Sequence, residues 1–311
     1  MQISADSLSR LSDFVANQTG LHFPQERWRD LQRGIESATQ EFRFTDPESC
    51  IHWLLTSPLT RSQIEILSSH LTVGETCFFR DKRTFEALQQ QVLPELIRSS
   101  RETGQRLRIW SAACCTGEEP YSLAMLLDQL IPDIQNWHIT ILGTDINPRF
   151  LQKATGATYS HWSFRDAPNW LQERYFKKTR EGRFTVYPSL TKRVIFSYLN
   201  LAEDSYPSLL NDTNAMDLIL CRNVLMYFAP DPAKRVIENL YRSLVEGGWL
   251  IVSPTEASSV LYSKFKPVEL PGVFFYRKDP TETPSVEHGV MPEIPQYFCE
   301  PEPISSFAEP N

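Results

Sequence analysis

The feature that most constrains the fold begins after residue 104. Short β-rich runs at Leu107 to Ala113, Trp137 to Ile146, Val194 to Leu199, Met216 to Cys221 and Trp249 to Ser253 are separated by helical stretches. The first such helix has Pro120 in its first turn and Leu123, Leu126, Leu127 and Leu130 on one face. Phe150 to Ala154 reads as a brief helix, and Pro232 to Val245 as a longer one stopped at Gly247-Gly248. Strands alternating with helices predict an α/β fold: a doubly wound, mostly parallel sheet covered by helices on both faces. Val273 to Tyr276 is expected to be a final edge strand.

The flanks do not follow this pattern. Residues 1–72 read as short helices with no strand signal. Leu8, Leu11 and Val15 follow a Ser4 cap, and Gly20 ends that run. Pro24 precedes Trp28, Leu31 and Ile35, Asp46-Pro47 opens a third helix, and Thr60 with Gln63 forms a capping box. This predicts a helical N-terminal domain over 1–72 and an α/β domain over 73–278. Within the latter, residues 159–192 are rich in aromatics and bases. Arg180-Glu-Gly-Arg183 looks like a hairpin turn between Tyr175-Phe176 and Phe184-Tyr187, so a small β insertion is expected. Residues 279–311 hold seven of the 22 prolines and few aliphatics, and a disordered tail is expected there.

Charge and cysteines narrow the function. Residues 279–311 carry seven acidic side chains and no Lys or Arg, which accounts for the net charge of −7 and leaves residues 1–278 formally neutral. A neutral body argues against nucleic acid as the partner. No apolar run approaches the length of a membrane span, and MQISADSLSR lacks the features of a secretory signal. A cytoplasmic chain is therefore expected, with no membrane insertion, as a monomer. The six cysteines (50, 77, 114, 115, 221 and 299) show no CxxC pair and no zinc spacing, so reduced thiols and no metal are expected.

In an open α/β sheet the ligand binds beyond the carboxyl ends of the strands. The first strand runs into Ser111-Ala-Ala-Cys-Cys-Thr-Gly-Glu-Glu-Pro120. This turn has small residues but neither GxGxxG nor the Gly-Lys-Ser/Thr of a phosphate loop. It presents two carboxylates, Glu118 and Glu119, which suit an ammonium or sulfonium ligand or simply favour a helix N-terminus. The second strand ends at Asp145, placed to accept ribose hydroxyls or to cap a helix. Asn200-Leu201 and Cys221-Arg-Asn-Val-Leu-Met-Tyr-Phe228 end two further strands, and an Asn can offer donor and acceptor to an adenine edge. Upstream, Leu71-Thr-Val-Gly-Glu-Thr-Cys-Phe-Phe-Arg-Asp81 is too polar for a plain linker.

Together these segments resemble the CheR-type chemotaxis receptor methyltransferases. The resemblance covers nearly all of residues 1–278, in order. It is carried by Thr76-Cys-Phe-Phe-Arg80, Trp110-Ser-Ala-Ala-Cys-Cys-Thr-Gly-Glu-Glu-Pro-Tyr-Ser122, Gly143-Thr-Asp-Ile146 and Cys221-Arg-Asn-Val-Leu-Met-Tyr-Phe228. It implies S-adenosylmethionine as cofactor, S-adenosylhomocysteine as product, and glutamate side chains on the cytoplasmic helices of methyl-accepting receptors as acceptors. It implies cofactor contacts from Thr76, Arg80, Glu118, Asp145, Asn200, Leu201, Asn223 and Val224, with Arg80 and Tyr227 at the transfer site. Many members carry Asn two places before the threonine, where this chain has Gly74.

A glutamate, with a reference pKa of about 4.3, is ionised at neutral pH, so methyl transfer needs no strong base. That agrees with the lack of a catalytic His or Cys constellation. Asn223-Val-Leu-Met, in place of Asp/Asn-Pro-Pro-Tyr/Phe, excludes a nucleic-acid adenine methyltransferase. A methyltransferase for another acceptor and a cofactor-binding signalling module without turnover stay open as alternatives. Arg29 and Arg33 share a helix face that could meet Glu-rich receptor helices or pair with Glu26 and Glu36. The short hairpin, with only Gly182, argues against docking of a receptor tail peptide.

Overall fold

The computed structural model describes residues 3–168 and 170–279; the expected disordered tail lies almost wholly outside them. The described residues form one compact unit.

The first part is helical: α1 (Ala5–Thr19), α2 (Trp28–Glu41), α3 (Pro47–Thr56) and α4 (Arg61–Leu71). The capping residues act as their types require. Ser4 and Asp46 accept from the backbone of Ser7 and Ser49, Thr60 and Gln63 form the reciprocal box, and Gly20 ends α1 with a φ of 80°. Leu11, Val15, Leu31, Ile35, Ile51, Leu54 and Leu67 form a core of their own. Arg33 pairs with Asp30, and so does Arg27 at 3.6 Å, rather than with Glu26 or Glu36.

Next come α5 (Lys82–Ala87), a π-helical turn (Leu88–Val92) and α6 (Leu93–Glu102), which the sequence reading passed over. Pro94 lies in the first turn of α6. Proline has no N–H to bond into the preceding turn, and the wider π turn absorbs that gap.

The α/β part runs β1 (Arg106–Ala112), α7 (Glu118–Leu130), β2 (His138–Asp145), α8 (Pro148–Gly156), β3 (Thr158–Tyr159), α9 (Trp170–Tyr175), β4 (Phe176–Lys178), β5 (Phe184–Val186), α10 (Pro188–Thr191), β6 (Val194–Tyr198), β7 (Met216–Cys221), α11 (Pro230–Ser243), β8 (Leu244–Ile251), β9 (Lys266–Leu270) and β10 (Val273–Arg277). The main sheet has seven strands in the order β6-β2-β1-β7-β8-β10-β9. Pairings from β6 to β8 are parallel, and β10 is antiparallel to both neighbours. Successive strand residues point to opposite faces, and both faces are covered. Leu107, Ile109, Leu218 and Leu220 belong to one core with α7, while Trp110, Ala112, Ile219 and Cys221 belong to the other with α11. β3, β5 and β4 form the small separate sheet expected of the insertion.

Two expectations are corrected. Val273–Arg277 is not an edge strand: it lies between β8 and β9, and β9 is the edge. Gly247-Gly248 does not stop α11, which ends at Ser243. Both glycines lie inside β8, where the register against β7 shifts between Met216 and Leu218. Gly247 has a φ of 77°, so its glycine serves a strand irregularity rather than a helix cap.

Strand order reverses at β1, with β2 and β6 on one side and β7 and β8 on the other. The crevice of a doubly wound sheet forms beyond the strand ends at this switch point.

Candidate functional site

An open cleft lies at the switch point. Its floor is the turn after β1 (Ala113, Cys114, Cys115), the end of β2 (Asp145, Ile146) and the segments after β6 and β7. One wall is the 71–80 segment and another is Thr19 to Phe23 with Arg27 from the helical region. Ala113, Cys115 and Asn223 take positive φ values of 58°, 50° and 57° without being glycine. Such backbone is stored where a site is held in shape by its surroundings.

Asp145 is buried at the end of β2. Its Oδ2 accepts the Cys115 amide at 2.9 Å and its Oδ1 accepts the Asn147 amide at 2.8 Å. Each oxygen keeps a second acceptor site, as two vicinal hydroxyls would require. Burial pushes its carboxyl up to about 6, against the lowering effect of these amides.

Thr76 and Arg80 line the cleft from the connecting segment. Arg80 donates from Nη1 to the Glu75 carbonyl at 2.7 Å. It does not pair with Asp81, whose carboxylate instead bonds Thr84 and Arg222. Arg222 is buried: Nη1 reaches Glu119 at 3.0 Å, and Nη2 reaches the Arg80 carbonyl at 2.9 Å.

The two carboxylates of this turn differ in placement. Glu118 does not line the cleft; Glu119 does. Glu118 turns inward and accepts from Thr116 Oγ1 at 2.6 Å and Ser163 Oγ at 3.0 Å, and burial raises its carboxyl. Neighbours on a helix point about 100° apart, so only one of the pair can face the cleft.

Asn200, Leu201, Asn223, Val224 and Tyr227 also line the cleft. The Asn200 amide is already committed, with Nδ2 donating to the Gln18 carbonyl at 2.8 Å and Oδ1 accepting from Ala202 at 3.0 Å. Asn223 and Val224 are held by Glu256, which accepts their amides at 2.6 and 2.8 Å and that of Met226 at 3.3 Å. The Tyr227 ring lies 5.2 Å from the Arg27 guanidinium, which is 5.0 Å from Phe23 on another side. The Tyr227 hydroxyl makes no hydrogen bond among the described residues.

Sequence reasoning missed Arg222, Phe150, Glu256 and the wall formed by residues 19–27. Glu256 had a legible signal: Ser253-Pro-Thr-Glu256 is a capping box, and the structure contains it. The others converge only through packing. Burial pushes the Cys114 and Cys115 thiols up, so neither offers a thiolate nucleophile. Among the described residues no group of three His, Cys, Asp or Glu side chains could hold a metal ion. None of the described helices is long and apolar enough to cross a membrane.

A doubly wound sheet with an acidic residue ending β2 and no phosphate-binding loop after β1 defines a nucleoside-cofactor enzyme of the methyltransferase class. Residues 74–274 match the CheR methyltransferase, SAM binding domain family, and the chain belongs to it. The chain is 38% identical over 225 residues to chemotaxis protein methyltransferase 1 of Pseudomonas aeruginosa, covering 69% of this chain and 77% of the relative. It is 29% identical over 265 residues to chemotaxis protein methyltransferase 2 of Vibrio cholerae, covering 85% and 89%.

S-adenosylmethionine is accordingly the cofactor, and the cleft fits it. Asp145 keeps acceptor sites for a ribose diol. Ile146, Leu199, Leu201 and Val224 give apolar lining, and Arg80 brings a guanidinium that meets no carboxylate among the described residues.

Proposed function

We propose that this protein methylates glutamate side chains of chemotaxis receptors, using S-adenosylmethionine, and so serves adaptation in chemosensory signalling. The observation that carries this reading is a count of charges in the cleft. A carboxylate-bearing cofactor and a carboxylate acceptor together bring two anions. Of the three arginines lining the cleft, Arg222 is spent on Glu119 and Asp81. Arg80 meets no carboxylate among the described residues, and Arg27 meets Asp30 only through Nε at 3.6 Å.

When bound, the cofactor supplies an electrophilic methyl group on a positively charged sulfur. Asp145 holds the ribose hydroxyls, Glu119 faces the ammonium, and the backbone of Asn200 and Leu201 with Val224 encloses the base. Thr76 and Arg80 close over the amino acid end, and Asn223 borders the base from the β7 side. Tyr227 orients the acceptor oxygen by its hydroxyl. The acceptor is already ionised, so the residues need to align it and exclude water rather than remove a proton. The acceptor enters from the receptor's helices, against the wall that carries Arg27.

The test is methyl incorporation from labelled cofactor into a purified receptor cytoplasmic fragment. Base-labile label is expected, as a carboxyl methyl ester requires. Arg80→Lys, which keeps the charge but loses the planar fork, is expected to lose most turnover. Cofactor binding with no incorporation would favour a signalling module without turnover, and base-stable label would favour another acceptor.

A further inference from the structure

Gly74 lies in the connecting segment, and its backbone does not call for glycine. Its φ is outside the left-handed region that favours this residue, unlike Gly117 or Gly247. What bars a side chain there is Phe150. A Cβ built on Gly74 would lie 2.7 Å from Phe150 Cε1 and 3.2 Å from Cε2, with Cζ closer still. Phe150 also lines the cleft. The ring thus fills the volume that a side chain at position 74 would take, and presents its surface to the ligand.

Both partners are fixed. Phe150 lies in the first turn of α8, where the capping Asn147 accepts the amides of Arg149 and Phe150 at 2.9 and 3.3 Å. The same Asn147 donates from Nδ2 to Thr72 Oγ1 at 2.8 Å, two residues before Gly74. Its own amide is bonded to Asp145. One residue therefore ties the Asp145 carboxylate through its backbone amide, and the turn that carries Phe150 and the segment that carries Gly74 through its side chain. Displacing the ring disturbs a cleft wall that is braced on both sides.

We infer that Phe150 is a cofactor-contacting residue, and that Gly74 and Phe150 act as one pair in which the ring replaces a side chain at position 74. The inference rests on cofactor binding alone, and is independent of which acceptor is methylated.

The test is a double-mutant cycle read by calorimetry with S-adenosylhomocysteine, with thermal melting of the free proteins as the control for folding. Phe150→Ala is expected to weaken binding about tenfold, with Phe150→Leu in between. Gly74→Ala is expected to weaken binding by a similar factor in the natural background, because its Cβ displaces the ring. In the Phe150→Ala background Gly74→Ala is expected to change affinity less than about twofold. Wild-type affinity in Phe150→Ala, or the same cost of Gly74→Ala in both backgrounds, would overturn the inference. A fall in melting temperature with unchanged affinity of the folded protein would also overturn it, since that describes packing alone.

Discussion

A carboxyl held near 6 by burial is ionised at neutral pH at some cost, and hydroxyl donors from a ligand relieve that cost. For Asp145 this makes cofactor affinity pH-dependent. As pH falls below about 6 the group takes a proton and loses acceptor capacity. Product affinity is expected to fall toward tenfold per pH unit, and Asp145→Asn should flatten this dependence. Calorimetry between about pH 5 and pH 7.5 checks both. The sign for the free fold is opposite: a raised carboxyl favours the native state below its unfolded value, and that contribution is lost as pH rises through about 6. The neighbouring pair Glu118 and Glu119 divides by direction. Glu119→Gln, which alters the carboxylate in the cleft, is expected to weaken product binding about tenfold. Glu118→Gln, which disturbs the bonds from Thr116 and Ser163, is expected to lower the melting temperature more than the affinity. The reverse pattern would return the ligand role to Glu118.

At the scale of elements, the loop after β7 has no regular structure beyond one short turn, yet it carries Asn223, Val224 and Tyr227. Glu256, on the turn after β8, fixes it by accepting three of its amides and the Ser253 hydroxyl. A glutamine has one acceptor oxygen and would aim an N–H₂ at other donors. Glu256→Gln is expected to weaken product binding about tenfold and to lower the melting temperature, because bonds to a charged acceptor contribute about 1.5–3 kcal/mol each. Calorimetry and melting of the same sample measure both. The elements themselves were legible where one physical signal dominated. Strands buried on both faces read as short apolar runs, and capped helices announced their starts. Legibility failed where one residue type serves two purposes. Gly247-Gly248 has the chemistry of a helix stop and of a strand bulge, and Pro94 interrupts a helical pattern that a π turn continues. At the site, Asp145, Arg80 and Tyr227 were legible because strand ends and the connecting motif placed them. Arg27 and Phe150 were not, because their approach to the cleft depends on how distant helices pack.

For the molecule as a whole, every residue lining the cleft falls between Thr19 and Phe228. Truncation after Asp279 is therefore expected to leave product affinity within about twofold of the full chain, by calorimetry. The opposite end of the chain is bound to the cleft by main-chain bonds. The His22 amide donates to the Tyr227 carbonyl at 2.8 Å, the Ala229 amide to Gly20 at 3.1 Å, and Leu21 bridges to Phe228. A Cβ on Gly20 would lie under 3 Å from the Phe228 ring, so this seam admits little slack. The helical region is thus stitched to the loop that carries Tyr227. A push on one side of the seam is felt on the other. Any coupling between occupancy of the cleft by cofactor and engagement of the helices by an acceptor is reciprocal: each changes the other's affinity by the same factor.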